Sequence, residues 1–209
     1  MRTIFALALL LAATGAVAQD PQTPPRLVSA EVGPSPWNVQ SGGIAAFDLT
    51  IDETGAVTST DIVQDVAPYG QILGDALPSW RFEPAREGGK PVRSRVLVVG
   101  FFRPPALVFA APEAPRYKTT VAPDEIPWPT AVVVPPYPPQ ALGSGKVILE
   151  ADISDTGTVA AARVLSPASP FDGAAADAVR RWTFRPANRK NRDVASRAFF
   201  VFSFPGTVS

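Results

Sequence analysis

Phe47-Asp48-Leu49-Thr50-Ile51-Asp52-Glu53-Thr54-Gly55-Ala56-Val57 decides the fold, because its pattern returns as Leu149-Glu150-Ala151-Asp152-Ile153-Ser154-Asp155-Thr156-Gly157-Thr158-Val159. Apolar and polar side chains alternate up to Asp52 and Ser154, the mark of a strand with one buried and one wet face. The triplets Glu53-Thr54-Gly55 and Asp155-Thr156-Gly157 then suit a tight hairpin with glycine at positive φ. Returning strands are expected over residues 56–63 and 158–165.

The shift between the two stretches is 153 − 51 = 102 residues. Trp80-Arg81-Phe82-Glu83-Pro84-Ala85 returns as Trp182-Thr183-Phe184-Arg185-Pro186-Ala187, and 182 − 80 is again 102. Pro34/Pro136, Gly43/Gly145, Asp75/Asp177, Arg95/Arg197 and Phe102/Phe204 keep the same offset. One register held this long means two copies of one small unit.

After the hairpin, each copy should contain a helix. In the second, Asp172 is a good N-cap, Ala175, Ala178, Val179 and Trp182 recur at helical spacing, and Pro186 stops the run. In the first, Pro78 falls inside the equivalent turn, so that helix should be short or bent. Residues 92–102 and 194–204 supply closing strands. The order is β-β-α-β, which predicts an α+β fold. Each copy should be a small two-layer domain, a three-stranded antiparallel sheet with its helix packed on one face. The domains are expected over residues 27–103 and 131–204. Seven prolines between them favour an extended linker over residues 104–130.

The bulk composition narrows the chemistry. The chain has 209 residues, 19 Lys+Arg against 19 Asp+Glu, no His and no Cys. A Ser-His-Asp triad, a thiol nucleophile and a thiolate- or imidazole-bound metal are excluded, and a non-enzymatic protein without cofactor is expected. The balanced charge carries no nucleic-acid footprint. Met1-Arg2, an apolar run and Ala16-Val17-Ala18 describe a secretory leader, residues 1–18, cleaved after Ala18. The 209 − 18 = 191 residues that remain should then be exported, with no membrane-spanning segment.

Three motifs carry less than they spell. Asp155-Thr156-Gly157 matches an aspartic-protease triplet, but the first copy has Glu53 at the matching place and both triplets sit on a hairpin. Gly143-Ser144-Gly145-Lys146 lacks the spacing and the Ser or Thr of a phosphate loop. Asp48, Asp52, Glu150 and Asp152 line the wet strand face, where solubility accounts for them better than a weak calcium site. Trp80 and Trp182 are expected as core locks between helix and sheet. The basic group Arg180, Arg181, Arg185, Arg189, Lys190 and Arg192 is expected as a solvated helix end and hairpin, with an anionic partner as the alternative.

Tyr137-Pro138, Gly145, Gly157, Phe171-Asp172, Val179-Arg180-Arg181-Trp182, Phe184 and Pro186-Ala187 together resemble the C-terminal domain of TonB across the whole second copy. The first copy looks like a diverged relative. The resemblance implies a periplasmic protein-binding module that adds a partner's extended peptide to its sheet edge. That partner would be an outer-membrane receptor or another envelope protein, in the service of transmembrane transport. It also implies a peptide site at Val134, Pro135 and Tyr137 and along the last strand at Arg197, Phe199 and Val201. Val134-Pro135 replaces the Gln-Pro of energy transducers, and the leader differs from their retained membrane helix. Two alternatives stand beside this reading: an anchored transducer, and a self-associating envelope scaffold.

The closing strands add one anomaly. Val96, Val98 and Phe102 are apolar on one face and Leu97, Val99 and Phe101 on the other. The same holds for Ala198, Phe200, Phe202 and Phe204 against Phe199 and Val201. A sheet with helices on one face needs one apolar face. The second should be covered by the linker, by the other copy or by a homodimer partner, or should form a groove for another protein. Arg95 and Arg197 are expected as solvated charges guarding an edge.

Overall fold

The computed structural model describes residues 22–33, 42–103 and 124–206. The expected leader and most of the expected linker lie outside the described residues. Among those described, no helix is long and apolar enough to cross a membrane.

The first copy contains β1 (Arg26–Ser29), β2 (Gly43–Ile51), β3 (Val57–Gln64), α1 (Tyr69–Ala76), β4 (Arg81–Glu83), β5 (Ala85–Glu87), β6 (Lys90–Val92) and β7 (Ser94–Phe102). The second contains β8 (Trp128–Ala131), β9 (Gly145–Ile153), β10 (Val159–Ser166), α2 (Phe171–Arg180), β11 (Thr183–Arg185), β12 (Ala187–Arg189), β13 (Arg192–Val194) and β14 (Ser196–Phe204). The strand-strand-helix-strand order therefore holds in both. Four short strands decorate each frame: β1 pairs β4, β8 pairs β11, and β5–β6 and β12–β13 form small hairpins. Trp128–Ala131 falls in the expected linker yet is a strand. Its Pro129 is tolerated because the ladder is two-stranded and leaves one side free.

Local chemistry sets the turns and helix ends. Gly55 and Gly157 take φ of 87° and 81°. A β-carbon at either would stand 1.7 or 1.8 Å from the carbonyl oxygen of Phe82 or Phe184. The backbones meet there because Phe82 and Phe184 donate N–H bonds to the Gly55 and Gly157 carbonyls, at 2.9 and 2.8 Å. Pro78 ends α1 early, and the chain continues as a single 3-10 turn, Leu77–Ser79. Asp172 is not the N-cap: the helix begins at Phe171, and the Asp172 carboxylate instead accepts the Ala168 N–H at 2.6 Å.

The main departure from expectation is that the two sheets are one. The strand order β10-β9-β14-β7-β2-β3 makes a single six-stranded sheet. β14 and β7 lie parallel at its centre, from Ala198 beside Leu97 to Ser203 beside Phe102. Every other pairing in it is antiparallel.

Parallel pairing of two equivalent strands relates the halves by a two-fold running along the strands, which turns one half over. The helices consequently lie on opposite faces. α1 packs with Phe47, Leu49, Val96, Val98 and Phe102 in one core, which also takes Ile148, Phe199 and Val201 from the second copy. α2 packs with Val147, Leu149, Phe200, Phe202 and Phe204 in the other, which also takes Ile44, Ala46, Leu97, Val99 and Phe101 from the first. The doubly apolar closing strands are thus covered by the other copy.

The strand face expected to be wet on β2 and β9 is buried over most of its length, and only Asp52 and Asp152 of its four carboxylates keep partial exposure. Asp48 and Glu150 are each 3% exposed, and Thr50 is buried as well. The cause is the overturned arrangement, in which each half's outer face becomes part of the other half's layer.

Candidate functional site

The residues read as a peptide site fall into two groups at opposite ends of β14. Val134 is half-buried against the α2 core and Pro135 is buried. Tyr137 is bound on three sides. Its hydroxyl donates to the Gly143 carbonyl, its ring meets Phe171 edge-on at 5.4 Å, and the Arg103 guanidinium lies 5.5 Å above it. Phe171 stacks on Phe204 at 4.6 Å, which ties this group to the last residue of β14. Arg197 is near the first residue, and at the usual rise per residue the seven steps between them span about 23 Å. The structure does not bring Arg197 to Tyr137.

Along β14 the side chains are enclosed. Phe199 and Val201 are 0% exposed. Phe199 stands edge-on to Phe82 of the first copy at 5.3 Å. Both sides of the β14 backbone are hydrogen-bonded, to β9 and to β7, so this strand has no free edge.

Arg197 and Arg95 are not solvated edge charges, because the strands they start are central. Arg197 is 11% exposed. It donates through Nε to Asp152 at 2.7 Å and through Nη1 to the Pro25 carbonyl at 3.3 Å, and lies 3.6 Å from Glu150. Glu150 also accepts from Arg163 Nε at 2.8 Å. In the other half Arg95 pairs with Asp48 and reaches Glu125 at 3.4 Å. Burial pushes the Asp48 carboxyl above its ordinary range, while the Arg95 hydrogen bond and charge pull it down. The same bond raises Arg95. Burial prevails for Asp48, because its carboxylate is almost sealed from water whereas Arg95 keeps a third of its surface wet.

Contacts by the segments that lead into each copy complete the enclosure, one of them between the copies. Lys146 donates to the carbonyls of Val32 and Gly33. The indole N–H of Trp80 donates to Glu31 at 3.0 Å, and that of Trp182 donates to Val133 at 2.9 Å. Both tryptophans are fully enclosed, as core locks should be.

Two features escape a reading of the sequence. The first is the pair of free rims. Among the described residues, the outermost strands of the six-stranded sheet, β10 and β3, are the ones with a strand on one side alone. The rim of β10 is lined by Ala160, Ala161 and Ala162, with Leu165 37% exposed. The rim of β3 carries Asp61 and the exposed Ile62. The alanines gave no signal because strand order is set by pairing between copies.

The second feature is a polar cleft of about 430 Å³ between Gln22, the start of β7 (Arg93, Ser94, Arg95), Asp124-Glu125 and the β12–β13 turn (Asn188 to Asn191). The sequence signal was the basic run 185–192, but four separate stretches assemble the cleft. Burial holds the Arg189 guanidinium below its usual range, partly offset by Glu125 and Glu87.

The described residues thus form one sheet with both faces covered and its two outer strands at the rims. Residues 133–204 match the family model described as the Gram-negative bacterial TonB protein C-terminal, a span of 204 − 133 + 1 = 72 residues. The second copy is thus similar to that family over nearly all of its length. No curated protein matches the chain.

Proposed function

We propose that the protein is a periplasmic binding module that captures extended segments of envelope proteins, TonB-dependent receptors among them, by strand addition at the outer rims of its sheet, above all at β10. One observation carries this reading: β14, whose rim would be open in a lone three-stranded unit, is paired on both sides, which leaves β10 and β3 as the sites where main-chain N–H and C=O groups can take a further strand. The short alanine side chains of β10 admit a neighbouring backbone without a steric toll. The second apolar face of the closing strands is used up within the chain, so burial of that face requires no homodimer.

The test places a photo-crosslinking amino acid at Ala161, at Asp61 and, as a buried control, at Ala198 of the exported protein. Adducts with envelope proteins are expected from Ala161 and Asp61 and not from Ala198. Adducts from Ala198 alone, or none from either rim, would overturn strand addition at the rims.

A further inference from the structure

The cleft between the copies holds more positive charge than its own acids can neutralise. Arg95 is committed to Asp48 and Glu125. Asp124 is committed through its carboxylate to Arg185 at 3.1 Å and through its carbonyl to the Asn188 N–H at 2.6 Å. Arg93, Arg189 and Lys190 also line the cleft, with no salt bridge among the described residues. Lys190 stands on the β12–β13 turn with Asn191, where φ of 50° and 64° lie in the left-handed region. Glu125, already paired with Arg95, and Glu87 offset Arg189 only in part, so the lining keeps a net positive charge that an acidic ligand would complement.

We propose that this cleft docks an acidic peptide segment of a partner protein, with Arg93, Arg189 and Lys190 taking its carboxylates and the Asp124–Glu125 rim accepting its main-chain N–H groups. The mixed lining favours a peptide over a phosphate. A compact dianion gains from the cations but meets two carboxylates at the rim, whereas a peptide offers carboxylates and N–H donors at alternating places. The site also belongs to the fused pair, since both copies build it. It rests on the protein-binding reading above for the nature of the partner, but lies apart from the sheet rims.

The experiment is fluorescence anisotropy on the full exported chain, with a fluorescein-labelled peptide of alternating glutamate and alanine at low salt. Saturable binding is expected, weakened at least tenfold in Arg189→Glu/Lys190→Glu and unchanged in Arg180→Glu/Arg181→Glu, which alters charge at the end of α2 outside the cleft. Inorganic phosphate at matched ionic strength should not displace the peptide, and phosphatidylglycerol vesicles should not pellet the protein. Absence of binding, equal loss in both variants, displacement by phosphate, or capture by vesicles would each overturn the proposal. Crosslinking from Ala161 in the Arg189→Glu/Lys190→Glu background reads the rim independently, so failure of the cleft and failure of strand addition give different patterns.

Discussion

Phe199→Ala tests the fusion of the two copies directly. Phe199 belongs to the second copy, yet its side chain is 0% exposed inside the first copy's core. It stands against Phe82 at 5.3 Å with ring planes at 67°. Truncation of an enclosed phenylalanine costs about 3–5 kcal/mol through lost transfer energy and the cavity left behind. A protein of this size falls by roughly 2–4 °C for each kcal/mol, so the melting temperature should drop by about 6–20 °C. The decisive readout is the shape of the transition. If the copies share cores, wild type and variant should each unfold in a single step, because the damaged core contains α1 while the mutated residue sits on the strand after α2. A double-mutant cycle with Phe82→Ala should return a coupling of about 0.5–1.5 kcal/mol, the usual worth of an edge-to-face pair. Two separate transitions, with Phe199→Ala lowering only that of the second copy, would refute the shared-core account. So would an unchanged melting temperature.

The remaining predictions concern the turn, the buried charges and their pH dependence. Gly157→Ala should destabilise by at least about 2 kcal/mol in urea titration, since the position has positive φ and the new methyl would meet the Phe184 carbonyl; Gly89→Ala, at φ 77° but with open space around it, should cost less. Arg197→Ala should cost about 2–4 kcal/mol because Glu150 loses one of its two cations while remaining buried, and Arg163→Ala should cost less because that partner is more than half exposed. Asp48 has a folded pKa above its ordinary value of 3.8, so the folded state holds its proton more tightly than the unfolded chain does. Its contribution to stability is therefore greatest below pH 3.8 and is lost as pH rises through the folded value. Denaturant midpoints of wild type and Asp48→Asn should diverge over that rise, and parallel profiles would count against the burial argument.

The repeat, the order of elements in each copy, the glycine hairpins and the enclosed tryptophans were all legible in the sequence, because each is fixed by local pattern. Alternation reports a strand, and Gly55 and Gly157 report a positive φ. What periodicity cannot report is which strand lies beside which. The alternation around Asp48 and Glu150 read as a wet face, and within a lone three-stranded sheet it would be one. The contrary signal was present in Leu97, Val99, Phe199 and Val201, an apolar set with no use in a single copy. It left the other copy, a twin molecule or the linker equally able to cover it. The position of Arg197, Phe199 and Val201 was hidden for the same reason: they line a strand that would be an edge in one copy and is central in two.

Doubling the unit has a consequence for how such a protein can work. Two copies joined rim to rim through antiparallel closing strands would keep both helices on one face and leave the opposite face bare. Parallel joining turns one copy over, so each face receives one helix and each closing strand needs apolar residues on both sides. That requirement is met by Leu97, Val99 and Phe101 on one strand and by Phe199 and Val201 on the other. It also demands cover for the half of each face that no helix reaches, which the extended segments around Leu27–Val32 and Ile126–Trp128 provide. The fusion thus closes the rim on which a single copy would recruit a peptide. In exchange it creates a seam between copies, and that seam is where Arg93, Arg189 and Lys190 gather. On the function proposed above, binding in the doubled protein moves from the centre of the sheet to its outer strands and to the seam.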